Sequence, residues 1–101
     1  MDIDKIEIEN NDLSFVIFPK KEEVVVEDTT RSIKTEKINE LLSIIRGWNN
    51  NYYKSGIDGI HFSIRIYSDN DVEVIRGSRD LPNNYLEFSQ FVEDVYYGRN
   101  D

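Results

Sequence analysis

The chain has 101 residues (11.9 kDa), with 20 acidic and 12 basic side chains, a formal net charge of −8 and a pI of about 4.6. A chain of this size builds one domain around one core, and 39% hydrophobic with 12% aromatic residues is too apolar for a disordered acidic tail. With no cysteine and one histidine, disulfide scaffolds, thiolate or multi-histidine zinc sites and cysteine nucleophiles are excluded.

The start, Met1-Asp2-Ile3-Asp4-Lys5, has neither the basic n-region nor the apolar stretch of a secretory leader. The longest unbroken apolar run, Phe15 to Phe18, is far short of the ~20 residues that span a bilayer. The expectation is a cytoplasmic protein without membrane association. Ile6 and Ile8 then alternate with Glu7 and Glu9, the period of a strand with one wet face. Asn10-Asn11-Asp12 is a turn. Leu13-Ser14-Phe15-Val16-Ile17-Phe18 is apolar on both faces and reads as a more central strand. Pro19 ends it, and Pro19-Lys20-Lys21-Glu22 leads tightly into a third strand, Glu23 to Glu27, around Val24, Val25 and Val26.

From Thr35 the period changes. Ile38, Leu41, Leu42, Ile45, Asn49 and Tyr52 fall on one helical stripe, widened by Ile44 and Trp48, which predicts an amphipathic helix of roughly 15–19 residues. Gly47 costs about 1 kcal/mol inside a helix, so it marks either close packing or a weakening toward Asn49-Asn50-Asn51. After Lys54-Ser55-Gly56, Asp58-Gly59 is a turn. Ile60, Phe62, Ile64 and Ile66 alternate with His61, Ser63, Arg65 and Tyr67, the cleanest strand pattern in the chain. Ser68-Asp69-Asn70-Asp71 is the hairpin loop, Val72 to Arg76 the return strand, and Gly77-Ser78 its break. Asn84 at the N-cap and Glu87 three residues on have capping-box spacing. Tyr85, Phe88, Phe91, Val92 and Val95 form a second helical stripe that ends near Tyr97, with Gly98 as the residue after the cap. The order βββαββα implies an α+β fold, an antiparallel sheet of four to five strands with two helices packed on one face. The other face carries His61, Ser63, Arg65 and Tyr67 and is either solvated or a contact surface.

Within this stretch, Asp58-Gly59-Ile60-His61-Phe62-Ser63-Ile64, Gly77-Ser78 and Pro82-Asn83-Asn84-Tyr85-Leu86-Glu87-Phe88 together resemble a pattern in small uncharacterised bacterial α+β proteins. In that pattern an Asp-Gly turn leads to an aromatic-Ser strand, a hairpin, a Gly-Ser break and a Pro-led helix. The resemblance spans residues 58–91 and implies a hairpin followed by a helix, with no activity attached.

The charge is unevenly spread. Residues 1–30 hold nine acids and three bases, residues 31–60 three and five, and residues 61–101 eight and four. Such a surface repels phosphate backbones, so direct nucleic-acid binding is disfavoured. His61, with no second imidazole, reads as a surface residue rather than a general base. Asp69-Asn70-Asp71 lacks the glycine and distal glutamate of an EF-hand loop and reads as a turn. Ser63 sits in no glycine-flanked elbow. No catalytic residue, cofactor or metal ligand is assigned, and the chain is read as a non-enzyme.

Two constellations are left for binding. Glu7 and Glu9 lie on one strand face about 7 Å apart, with Asp2, Asp4, Glu22, Glu23, Glu27 and Asp28 close in sequence. They form either a solvated surface or a negative patch that steers a basic partner. Asp69, Asp71 and Glu73 are an alternative source of the same steering. Trp48, Tyr52, Tyr53 and Tyr67, with Tyr96 and Tyr97, are aromatic anchors for an interface or the rim of the protein's own core. The function expected is a small acidic stoichiometric inhibitor or antidote, of the immunity or phage anti-defence kind, for a basic and nucleic-acid-handling partner protein. The alternative is a structural or adaptor domain that homodimerises through an open sheet edge or the Arg65–Tyr67 face.

Overall fold

In the computed structural model, which describes residues 2–54 and 59–99, the opening alternation becomes β1 (Lys5–Asn10) and β2 (Leu13–Phe18). Ile6 and Ile8 lie opposite Ile17 and Phe15 on the buried side, while Glu7 lies opposite Val16 on the other. Asn11 makes the two-residue turn between them at φ 55, a left-handed conformation that asparagine tolerates. Pro19 opens a single 3₁₀ turn, Pro19–Lys21, closed by Glu22 at φ 50, and β3 (Glu23–Val26) follows.

The next strand, β4 (Thr29–Ser32), contains no aliphatic residue, so no hydrophobic pattern announces it. It pairs with β3 through a turn at Glu27 (φ 54) and is fastened from below. The Arg31 guanidinium donates to the carbonyls of Val95 and Tyr96 at 2.7 and 2.9 Å. A cation there satisfies the orphan carbonyls at the end of the last helix and complements its dipole.

The first helix, α1 (Thr35–Ile45), has 11 residues rather than the expected 15–19. It stops at Arg46, and Gly47 takes φ 81, reversing the chain where a side chain would be strained. The expected stripe residues beyond it serve other purposes. Trp48 lies in the connection, and Tyr52 belongs to β5 (Asn51–Tyr53), a three-residue strand parallel to its neighbour. Tyr52 packs against the core from that strand, which is why helical spacing extended to it.

The hairpin of β6 (His61–Ser68) and β7 (Asp71–Ser78) turns through Asp69 and Asn70. Gly77-Ser78 does not break β7. It continues the strand because the Phe62 ring lies on Gly77, where a Cβ would come within 2.3 Å of Phe62 Cε1. Of the expected Asp58-Gly59 turn, Asp58 lies outside the described residues, as do Ser55 and Gly56. The last helix, α2 (Tyr85–Tyr96), follows the predicted stripe, with Gly98 at φ 75 after its cap. Asn84 is its N-cap residue, but the capping box does not form. The Asn84 side chain accepts from Trp48 Nε1 and donates to the Ile44 carbonyl, both at 2.7 Å, joining the end of α1 to the start of α2.

The sheet has seven strands in the order β4-β3-β2-β1-β6-β7-β5, antiparallel except for the β5–β7 pair. The α+β class is as expected. The sheet is larger and mixed because a short strand, with little hydrophobic pattern of its own, adds to each edge. Ile6, Ile8, Ile17, Val24, Ile64 and Ile75 on one sheet face meet Ile38 and Leu41 of α1 and Phe88, Phe91, Val92 and Val95 of α2 in one core. The buried Asn10 is satisfied by the Tyr85 hydroxyl, which donates to its Oδ1 at 2.7 Å.

Candidate binding surface

Strand alternation puts every residue that does not face the helices on the opposite side of the sheet. Among the described residues no element covers that side. Its registers give three rows across the strands. The middle row runs Thr30, Val25, Val16, Glu7, Arg65, Val74, and beside it lie Ser14, Glu9, Ser63, Arg76, Asn51. The third row brings Lys5, Tyr67 and Val72 together, with Phe18 and Glu23 on the same face. The carboxylates of this face, Glu7, Glu9 and Glu23, sit on β1 and β3. Two of its cations, Arg65 and Arg76, sit on β6 and β7. With Lys5 they set three cations against these three carboxylates and Glu27, which lines the same face, so most of the chain's −8 lies elsewhere.

The face is grooved. An open trough of about 450 Å³ is lined by Arg65, Arg76, His61, Asn51 and Tyr53, with Glu9 on its rim. A second, of about 400 Å³, is lined by Glu7, Glu9, Glu27, Val16 and Val25, and shares Ser63 and Arg65 with the first. Tyr67 donates its hydroxyl to Glu7 Oε1 at 2.6 Å, and Lys5 Nζ stands 3.8 Å from Glu7 Oε2 and 4.6 Å above the Tyr67 ring. The Glu7 carboxylate accepting that bond holds the Tyr67 phenol above its ordinary pKa, because it disfavours the phenolate. Neither Arg65 nor Arg76 makes an ion pair among the described residues.

The structure separates the acids that sequence proximity had grouped. Glu22 accepts from the Thr35 N–H at 3.1 Å, at the start of α1, and Glu27 accepts from the Tyr96 hydroxyl at 2.7 Å. That bond raises the Tyr96 phenol pKa for the same reason as at Tyr67. Asp2 and Asp4 belong with the β6–β7 turn instead. Asp4 Oδ2 accepts from the Asp69 N–H at 3.0 Å, and Asp4 Oδ1 accepts from Lys20 Nζ at 2.6 Å. The Lys20 bond, and then the Asp69 N–H, hold the Asp4 carboxyl below the usual carboxylate range. Asp69, Asp71 and Glu73 follow along the turn and the exposed start of β7. Four aspartates and a glutamate, only partly offset by Lys20 and Lys5, thus gather at one end of the sheet. The contribution of Asp2 and Asp4 was hidden because they are more than sixty residues from the turn.

The aromatic set divides as well. Trp48 packs edge-on against Phe62 and Phe88 at 5.7 and 5.6 Å, and Tyr52 against Trp48 at 6.3 Å, so both close the protein's own core. Tyr53, 67% exposed, and Tyr67 lie on the open face. His61 is exposed at the rim of the larger trough, its backbone paired to Asn11. No three His, Asp or Glu side chains converge as a metal site among the described residues, and no described helix is long and apolar enough to cross a membrane. Comparison of the chain with protein-family models, with curated proteins and with solved structures found no match, and the surface alone carries the functional argument.

Proposed function

We propose that this protein is a non-enzymatic binding protein that acts stoichiometrically on a basic partner protein, as an inhibitor or antidote of the immunity or anti-defence kind. The observation that carries the reading is the acidic end of the sheet, where Asp2 and Asp4 join Asp69, Asp71 and Glu73, five acids against Lys5 and Lys20. This end replaces Glu7, Glu9, Glu22, Glu23 and Glu27 as the steering surface. Three of those are offset by cations on the same face, and two are engaged by Thr35 and Tyr96. Charge concentrated at one end of a molecule orients an oppositely charged partner before contact and raises the encounter rate. Partners that handle nucleic acid present basic clefts that an acidic end of this kind can occupy. Tyr67 and Val72, at the same end on the open face, supply the adjoining apolar contact.

The test is capture from the native host's lysate on the immobilised protein at low salt, followed by association kinetics of the retained partner. A basic protein should be retained. Reversal of Asp69, Asp71 and Glu73 to lysine should slow its association by about 10-fold or more at low salt, with the difference shrinking as salt rises. Retention of no basic protein, or association unchanged by the reversals, would refute the reading.

A further inference from the structure

We propose that the open face of the sheet docks a second copy of this chain, face to face, about a two-fold axis parallel to the strands and running between β1 and β6. The inference does not rest on the partner reading above, which is carried by the acidic end of the sheet; the two share only Tyr67 and Val72 on the open face.

The argument starts from composition. An antiparallel sheet face left to water is ordinarily polar, yet this one carries Phe18, Val16, Val25, Val72 and Val74, with Val72 49% exposed. It also sets three cations against four carboxylates, close to balance, on a molecule of net charge −8. The charges are segregated. Carboxylates occupy the β1 side of the middle line and guanidinium groups the β6 side, in registered rows.

A two-fold axis along that line lays each row on its own reverse. Glu7 meets the second copy's Arg65 and Arg65 meets its Glu7, giving Arg65 the acidic partner it lacks, while Arg76 meets the second copy's Ser14. Val16 meets Val74, and Lys5 meets the ring of Tyr67, the pairing it already makes within one chain. The other face-to-face arrangement, with the axis across the strands, would stack β1 on β1 and set carboxylate against carboxylate. Like charges opposed in this way are destabilising, so the charge pattern selects the first arrangement. Aligned sheets pack about 10 Å apart at roughly −30°, so opposed side chains interdigitate and need not eclipse.

The available area sets the strength. The axis leaves β4 unopposed, so five inter-strand gaps of about 4.8 Å and strands about 17 Å long give roughly 400 Å² per copy, about 800 Å² in total. That is the size of a weak, transient interface, and the dimer should be reversible, with a Kd of about 100 μM.

Sedimentation velocity on the full chain, from about 10 μM to 1 mM, tests this. Wild type should shift from monomer to dimer across the range. Glu7→Arg and Arg65→Glu, each alone, oppose like charges twice in the dimer and should weaken it about 10-fold or more, while an equimolar mixture of the two restores every opposed pair and should recover it. Circular dichroism checks that each variant is folded. If either is not, Val16→Lys and Val74→Glu form an equivalent pair, each impaired alone and restored when mixed. A wild-type chain that stays monomeric to 1 mM, a dimer indifferent to the substitutions, or folded variants whose mixture fails to recover association would each overturn the proposal.

Discussion

Gly77 reads as punctuation in the sequence and proves to be a packing requirement. In most strands a glycine weakens the element, and replacing it with alanine helps. Here the Phe62 ring occupies the space, with Cε1 at 2.3 Å and Cζ at 2.8 Å from where a Cβ would stand. Phe62 cannot retreat easily, because Trp48, Tyr85 and Phe88 surround it at 5.7 to 5.9 Å between ring centroids. Gly77→Ala should therefore destabilise by about 1–3 kcal/mol, the usual cost of forcing extra volume into a packed core. The urea midpoint, followed by the fluorescence of the only tryptophan, reads the change. Phe62→Leu in the same chain should recover part of the loss, whereas a Gly77→Ala protein as stable as wild type would show that the ring is free to move.

Between elements, the side chain of Asn84 changes meaning in the same way. Spacing from Asn84 to Glu87 fits a local cap, and a local cap tolerates aspartate as well as asparagine. In the fold the amide instead bridges α1 and α2, taking the Trp48 indole N–H and giving a bond to the Ile44 carbonyl. Aspartate keeps the acceptor and loses the donor. Asn84→Ala should cost about 1–3 kcal/mol and Asn84→Asp a measurable fraction of that, since the part-buried Ile44 carbonyl is left without its partner. Equal stability of the aspartate variant and wild type, in chemical denaturation, would return Asn84 to the role of a simple cap. The same scale explains the missed strands. β4 is held by its ladder to β3 and by Arg31 under the end of α2, and β5 by a parallel ladder to β7. None of those partners is visible from within three or four residues of sequence.

For the molecule as a whole, pH separates specific bonds from the general charge. Asp4 has a lowered pKa in the folded state, so its bonds to Lys20 and the Asp69 N–H contribute stability above the unfolded carboxyl value of about 3.9 and lose it as pH falls through the lower folded value. Tyr67 and Tyr96 have raised values, so their contribution is whole below about pH 10 and is lost as pH rises through the folded values. The gap in denaturation midpoint between wild type and Asp4→Asn should be open at neutral pH and close on the acid side, a comparison that cancels the titration of the other carboxylates. A gap constant with pH would mean that the Asp4 charge adds nothing. Alternation and helical spacing were enough to mark the α+β class, the core of both hairpins and the course of α2, because those patterns are local consequences of burying one face of a strand or helix. The length of the sheet, the parallel edge, the transfer of Asp2 and Asp4 to a turn more than sixty residues away, and the division of the open face into an acidic and a basic half were decided by tertiary pairing. Each depends on which strands become neighbours, and that neighbourhood is set by long-range backbone hydrogen bonds and by packing against two helices.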